Sequence, residues 1–272
     1  MPSSQAMEGC HSAPSQETRG VVVSAPSSIL APFVHMLWHD DRYREHRHRE
    51  RVLPAGGFTM VCELEQGVSV VNGLRSKCVE FETRPVGTVV GVLFHPGGAR
   101  AFFAGSAERL YNRSVPLARL WGRSANEACA RLRDTDQPSE RLRVVADVLE
   151  SRVQPTRALH AAVAHGLAEF QRVPHVYRVL EVVKHTGLSR RRFSQLFREQ
   201  IGMTPKLFCR VRRFAWVVEQ LSAGCPIDWA GVAQAGGYSD QAHLVHDFQE
   251  FSGFSPALFL TNHRSGANVR IS

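Results

Sequence analysis

The sequence predicts an α+β protein with a small β-rich N-terminal domain, a helical segment after it and an all-α C-terminal domain. Apolar runs of strand length, such as Phe58–Leu64, Val68–Val71 and Thr88–Phe94, lie between glycine-containing breaks in residues 21–115. From about residue 99 to 172, Leu and Val recur at three- and four-residue spacing, which indicates helices. The C-terminal third contains an internal repeat with helical spacing, which predicts two units joined by a long helix.

Composition is that of an ordinary folded protein, with 272 residues, 43% of them hydrophobic, and a net charge of +8. No apolar run approaches about eighteen residues, so we expect no membrane-spanning helix and no membrane partner. Residues 1–20 are rich in Ser, Gln, Glu and Pro and lack the apolar core of a signal peptide. We therefore expect a disordered N-terminus and a cytoplasmic protein.

The six cysteines form no CxxC pair, which indicates reduced thiols rather than a metal knuckle. They are Cys10, Cys62, Cys78, Cys129, Cys209 and Cys225. Histidines are dense in the N-terminal half, but their spacing matches no metal motif. We expect no metal, no cofactor and no catalytic residue.

Positive charge is concentrated in one short window. Between Lys184 and Arg213 there are nine basic residues and a single acid, Glu199. The next fifty residues, Phe214 to His263, contain no Lys or Arg and five acids. A polyanionic partner would therefore meet the first part of the C-terminal domain.

The repeat has an offset of fifty to fifty-one residues. Gly187-Leu-Ser189 recurs as Gly237-Tyr-Ser239. Phe193, Phe197, Gly202 and Pro205 then match Leu244, Phe248, Gly253 and Pro256. Such a repeat indicates a duplicated supersecondary unit. Each copy has the pattern of two short helices around a glycine turn, which is typical of a helix-turn-helix.

These residues resemble the AraC/XylS family of transcription regulators. The resemblance rests on GLSRRRFSQLFREQIGMTPK, from Gly187 to Lys206, and on GGYSDQAHLVHDFQEFSGFSP, from Gly236 to Pro256. The N-terminal region resembles the sensor domain of one AraC-type subgroup at Leu30–Trp38, Arg51–Pro54 and Val92–Ala99. We place the sensor or dimerisation domain with its helical tail at 21–155, the DNA-binding domain at 156–264 and a flexible tail at 265–272.

The resemblance implies a sequence-specific regulator, not an enzyme, whose two recognition helices enter successive major-groove segments of promoter DNA. The expected base-reading residues are Arg191, Ser194, Gln195, Gln241, Ala242, His243, Val245 and His246. The expected phosphate contacts are Arg190, Arg192, Arg198, Lys206, Arg210 and Arg213. The resemblance also leaves open RNA polymerase, a small-molecule effector at the N-terminal domain and a homodimer as partners.

The second unit departs from the family. His246 stands where the family often has Arg, and without nearby Lys or Arg this unit neutralises few phosphates. Because phosphate neutralisation supplies most non-specific affinity, we expect the first unit to dominate binding. Asp247 aligns with the inward-facing Leu196, so it needs a hydrogen-bond partner if it is buried.

Two other functions stay open from the sequence alone. One is a cupin-like metal enzyme, although His35, His39, Glu63 and His95 do not reproduce a cupin metal signature. The other is an interaction module that binds no DNA. Arg51 and Arg100 are candidates for binding an anionic effector, and partly buried salt bridges would explain them equally well.

Overall fold

A computed structural model describes residues 21–41, 48–54, 56–83, 87–172, 179–222, 227–264 and 269–271. The expected disorder of residues 1–20 lies outside these ranges, as do Cys10 and Cys225. The predicted α+β class is confirmed, with strands first and helices after them. Within the described residues, no helix is both long enough and apolar enough to cross a bilayer.

A six-stranded antiparallel sheet forms the N-terminal domain, in the order β1-β2-β7-β4-β5-β8. The bounds are β1 Val21–Ser24, β2 Val34–Asp40, β4 Thr59–Glu63, β5 Val68–Asn72, β7 Val89–Phe94 and β8 Ser114–Pro116. The three predicted apolar runs correspond to β4, β5 and β7. Central β7 is almost wholly buried, which explains its unbroken apolar sequence.

A second sheet contains β3 (His48–Leu53), β6 (Val79–Thr83) and β9 (Val269–Ile271). Strand β3 is antiparallel to β6 and parallel to β9. Within the expected flexible tail, residues 269–271 pair with β3 of the N-terminal domain, and the rest of that tail lies outside the described residues.

Four helices follow the sheet, in the segment where the spacing predicts them. They are α1 Leu117–Trp121, α2 Arg123–Arg133, α3 Pro138–Glu150 and α4 Ala161–Arg172. An aromatic cluster joins α1 to the sheet. Phe103 stacks on Trp121 with ring centroids 5.5 Å apart, and Trp121 Nε1 donates a hydrogen bond of 3.1 Å to the carbonyl of Phe102. Such pairs add specificity to the apolar burial.

Six further helices form the C-terminal domain. They are α5 Val179–Lys184, α6 Arg190–Ile201, α7 Pro205–Ser222, α8 Trp229–Ala235, α9 Gln241–Ser252 and α10 Pro256–Arg264. Ser189 caps α6 by accepting from the backbone N–H of Arg192. Asp240 caps α9 by accepting from the backbone N–H of His243. It lies fifty-one residues after Ser189, which is the offset of the second block of the repeat.

The two domains share one continuous core. Gly202, with a φ of 108°, ends α6 against the N-terminal domain, where an added Cβ would lie 3.3 Å from the carbonyl oxygen of Ala107 and in ordinary contact with Leu74 and Phe58. The backbone N–H of Cys78 donates to the carbonyl of Phe251 at 2.8 Å. Close packing at these points seats the N-terminal domain directly against both helix-turn-helix units.

Candidate nucleic-acid interface

Helix α6 has one apolar face and one cationic face. Phe193, Leu196, Phe197 and Ile201 are buried. Phe197 lies at the centre of this packing, with its ring centroid 5.8 Å from that of Phe170 on α4 and 5.6 Å from that of Phe208 on α7. Apolar residues at helical spacing therefore fix which side of α6 faces outward.

The outward face of α6 carries most of the expected DNA contacts. Exposed on it are Arg190, Arg191, Arg192, Gln195 and Arg198, and Ser194 is half-buried. Residues four apart lie above one another on a helix, so Arg191 and Gln195 share one stripe. The Gln195 amide donates to Glu199 at 2.9 Å and accepts from Arg192 at 3.3 Å. Its orientation is thus fixed by its neighbours.

The C-terminal end of α6 contacts the N-terminal domain. Arg198 Nε lies 3.1 Å from the carboxylate of Glu108, and both side chains are about half exposed, at 47% and 46%. Ser106 Oγ donates a hydrogen bond of 3.2 Å to the carbonyl of Glu199. One expected phosphate contact is therefore bound by a carboxylate of the other domain. Glu108 belongs to no sequence motif, so nothing in the sequence identifies it as a partner of Arg198.

Arg210 and Arg213 of α7 are committed to partners inside the domain. Arg210 Nη2 lies 2.7 Å from Asp247 and 2.5 Å from Glu250. Arg213 donates to the carbonyl of Gly237 at 2.8 Å. Its guanidinium carbon lies 4.5 Å from the ring centroid of Tyr238. Both were expected to bind phosphates, but these contacts tie α7 to the second unit. Lys206, at the start of α7, is exposed.

Asp247 has the partner that its buried position requires. Its side chain is 3% exposed, on α9, and the Arg210 guanidinium neutralises it. The hydrogen bond that Arg210 donates to Asp247 is the main cause that raises the pKa of Arg210 above its usual value. In the described part of the chain, His246, Asp247 and Glu250 form the one group with metal-ligand spacing. Because Arg210 already bridges both carboxylates, the arrangement is an ion-pair network.

The second recognition helix, α9, presents a nearly uncharged face. Gln241, Ala242 and His246 are exposed, and Val245 is half-buried beside them. A shallow concavity on this face is lined by these four residues and Gln249. His243 is half-buried and turned towards the cap, with Nδ1 3.1 Å from Ser239 Oγ. The exposed face of α9 is therefore concave and carries no Lys or Arg.

The residues considered for a cupin-like metal site do not converge on one point. The rings of His35 and His95 are in contact, with centroids 5.3 Å apart. His39 is buried and accepts from Arg141 of α3 at 3.3 Å. Burial alone raises the pKa of Glu63, and none of these histidines contributes to that shift.

Comparisons with known proteins divide the chain in the same way as its fold. The family described as a helix-turn-helix domain matches residues 182–262. A domain of unknown function, DUF6597, matches residues 23–116. Among curated proteins no relative matches the chain.

Solved structures give more distant similarities. The DNA-binding domain of AdpA, a global transcriptional factor in complex with a target DNA, is 21% identical, with 39% of this chain and 96% of that chain covered and a TM-score of 0.36. ToxT from Vibrio cholerae is 9% identical over 89% of this chain and 98% of that chain, with a TM-score of 0.45. These similarities are too distant to assign any contact here.

The helix-turn-helix match covers α5 to α10 almost completely, and both repeated units lie inside it. This agrees with the expectation of a regulator rather than an enzyme. The chain therefore carries a helix-turn-helix domain over residues 182–262, as its resemblance to AraC-type regulators led us to expect, behind a DUF6597 domain at residues 23–116.

Proposed function

We propose that this regulator binds promoter DNA chiefly through α6, and that its N-terminal domain controls access to that helix. The observation that carries the proposal is the exposed stripe of Arg191 and Gln195 between three further arginines. Arginine can pair with both acceptors of guanine, and glutamine with adenine, in the major groove. Each such pair contributes about 1–3 kcal/mol of discrimination between bases.

Phosphate contacts around α6 come from fewer residues than the charge count suggests. Arg190, Arg192 and Lys206 are exposed and stand on either side of the base-reading stripe. Arg198 joins them once it leaves Glu108. Arg210 and Arg213 serve instead as the rigid link between α7 and α9. The proposal therefore assigns these two residues a spacing role and not a phosphate-binding role.

The second unit, α9, sets the register of the protein on DNA. Gln241, Ala242 and His246 face outward, where they can contact base edges. With no Lys or Arg between residues 214 and 263, this unit adds little salt-dependent affinity. Its position relative to α6 is held by α7 and the Asp247 ion pairs, so both helices move as one body.

Control by the N-terminal domain acts through its contact with α6. The segment Ser106–Glu108 touches the helix end that must approach a DNA phosphate. Close by, a small cavity is lined by Phe58, Arg100, Phe103 and Gln200. Burial lowers the pKa of Arg100, which remains a cation. The cavity has room for little more than a water molecule, so an anionic effector would bind at its mouth, beside Arg100, to alter this contact. RNA polymerase and a second copy of the chain remain partners that only the family resemblance supports.

The test is selection of bound sequences from a random double-stranded DNA pool by the full-length protein, at about 0.1 M salt. We expect a motif with one strongly specified half, contacted by α6, and one weakly specified half. An Arg191→Ala variant run in parallel should lose preference in the strong half only. Failure to enrich any sequence would contradict a base-reading function and favour an interaction module.

A further inference from the structure

Two cysteines from distant parts of the N-terminal domain meet beneath its six-stranded sheet. Cys62 lies on β4 and Cys129 on the inner face of α2, and they are 3% and 6% exposed. Ser69 on β5 is the cross-strand partner of Cys62, and its Oγ lies 2.7 Å from Cys129 Sγ. Directly paired side chains start about 5 Å apart, so all three side chains occupy one small space.

The two thiols differ sharply in acidity. The hydrogen bond with Cys62, then that with Ser69 and the charge of Arg133, lower the pKa of Cys129 to about 6 despite its burial. The same hydrogen bond, together with burial, raises the pKa of Cys62. Cys129 is therefore the more acidic thiol of the pair and the better nucleophile, and Cys62 is the thiol that keeps its proton more readily.

The other two cysteines in the described part of the chain lack this environment. Burial raises the pKa of Cys78, and it raises the pKa of Cys209 to about 12. A thiol that stays protonated reacts slowly with oxidants. Cys129 lies on α2 next to the exposed residues Asn126 and Ala130, whereas Cys209 is 2% exposed on α7. The reactive position is thus distinguished by geometry as well as by acidity.

We propose that Cys129 and Cys62 are a site of reversible disulfide formation by hydroperoxides. The Cys129 thiolate attacks one peroxide oxygen, so that an S–O bond forms, the O–O bond breaks and the departing oxygen takes up a proton. The resulting sulfenic acid is then attacked by the sulfur of Cys62. An S–S bond forms, the S–O bond breaks, and the thiol proton leaves with the oxygen as water.

Electrons balance in this sequence, because the peroxide gains the two electrons that the two thiols lose. The new bond ties α2 covalently to β4. A dithiol reductant reverses it by thiol–disulfide exchange. This inference is independent of how the C-terminal domain reads DNA, because it involves the N-terminal domain alone.

The experiment treats the full-length protein with one equivalent of hydrogen peroxide, alkylates the remaining thiols and maps the peptides by mass spectrometry. We expect a single linkage between the peptides of Cys62 and Cys129 that dithiothreitol removes. We also expect Cys129 to react at least about tenfold faster than Cys209. A Cys209→Ser variant should form the same linkage, and a Cys129→Ser variant should form none.

The unsubstituted protein gives the decisive result, so the test does not depend on a variant folding. Oxidation of Cys129 to sulfinic acid without a link to Cys62 would overturn the proposal. So would a link from either cysteine to any other position, or faster oxidation of Cys209. Circular dichroism of the two serine variants checks that each retains the native fold.

Discussion

The carboxylate of Glu108 lies 3.1 Å from Nε of Arg198, which joins the N-terminal domain to the first recognition helix. Arg198 stands one turn beyond Gln195 on the face that we expect to meet DNA. A phosphate approaching this helix end therefore competes with Glu108 for the same guanidinium. In the proposed mode of binding, this contact couples the N-terminal domain to the DNA-binding surface.

Replacing Glu108 by Gln should strengthen DNA binding. The exposed pair of Arg198 and Glu108 is weak, so we expect the affinity for DNA to rise only about two- to fivefold. Arg198 is then free to bind a phosphate, so the affinity should fall more steeply with salt, by about one more released counterion. Fluorescence anisotropy over a range of salt concentrations measures both effects. Glu127→Gln is the matched control, because it removes the same charge from an exposed position on α2. Equal gains in both variants would mean that net charge, and not the contact with Arg198, is responsible.

Asp247→Asn should destabilise the C-terminal domain. The change removes the buried charge opposite Arg210 and beside Arg213. Breaking one partner of a buried pair costs several kcal/mol, and the partial exposure of Arg210 reduces this to about 2–4 kcal/mol. Urea unfolding measures the free energy. Glu250→Gln, at a more exposed position on the same network, should cost less than about 1 kcal/mol. A comparable loss in both variants would contradict the central role of Asp247.

Stability of the N-terminal domain should fall at acidic pH because of His39. Burial, and then the guanidinium of Arg141, hold the pKa of His39 below its usual 6.5. As pH falls through 6.5, the unfolded chain therefore binds a proton before the folded chain does. Above about pH 7, His39 is neutral in both states and does not change the free energy of unfolding. Below that pH, uptake of one proton by the unfolded chain lowers the free energy of unfolding by at most about 1.4 kcal/mol per pH unit.

His39→Gln should flatten this part of the pH profile, measured as the urea midpoint between about pH 8 and pH 5.5. His165→Gln, at an exposed position on α4, should leave the profile unchanged. An unaltered slope in the His39 variant would show that another group titrates there.

Much of the fold follows from local patterns in the sequence. The apolar runs predict β4, β5 and β7, and the repeat with its glycines and caps predicts α6, α7 and α9. The pairing of β9 with β3 could not be predicted, because it joins residues as far apart in the sequence as Arg51 and Val269 through backbone hydrogen bonds. Such pairing depends on how the domains pack and leaves little trace in three residues of sequence.

The site was predictable where helix periodicity decides it. The spacing of Phe193 and Phe197 determines that Arg191 and Gln195 face outward. The ion pair of Arg210 could not be predicted from its charge, because its partner Asp247 lies 37 residues further along the chain. The sequence places Asp247 at a position expected to be buried, which indicates that it needs a partner but does not identify Arg210 as that partner.

The most direct test of the account is equilibrium binding of the selected DNA site by Arg191→Ala and His246→Ala at one salt concentration and neutral pH. We predict a loss of about 1–3 kcal/mol, or about fivefold to 150-fold in Kd, for Arg191→Ala. For His246→Ala we predict a loss below about threefold, because α9 carries no Lys or Arg and neutralises few phosphates. Equal losses in the two variants would contradict the dominance of the first unit.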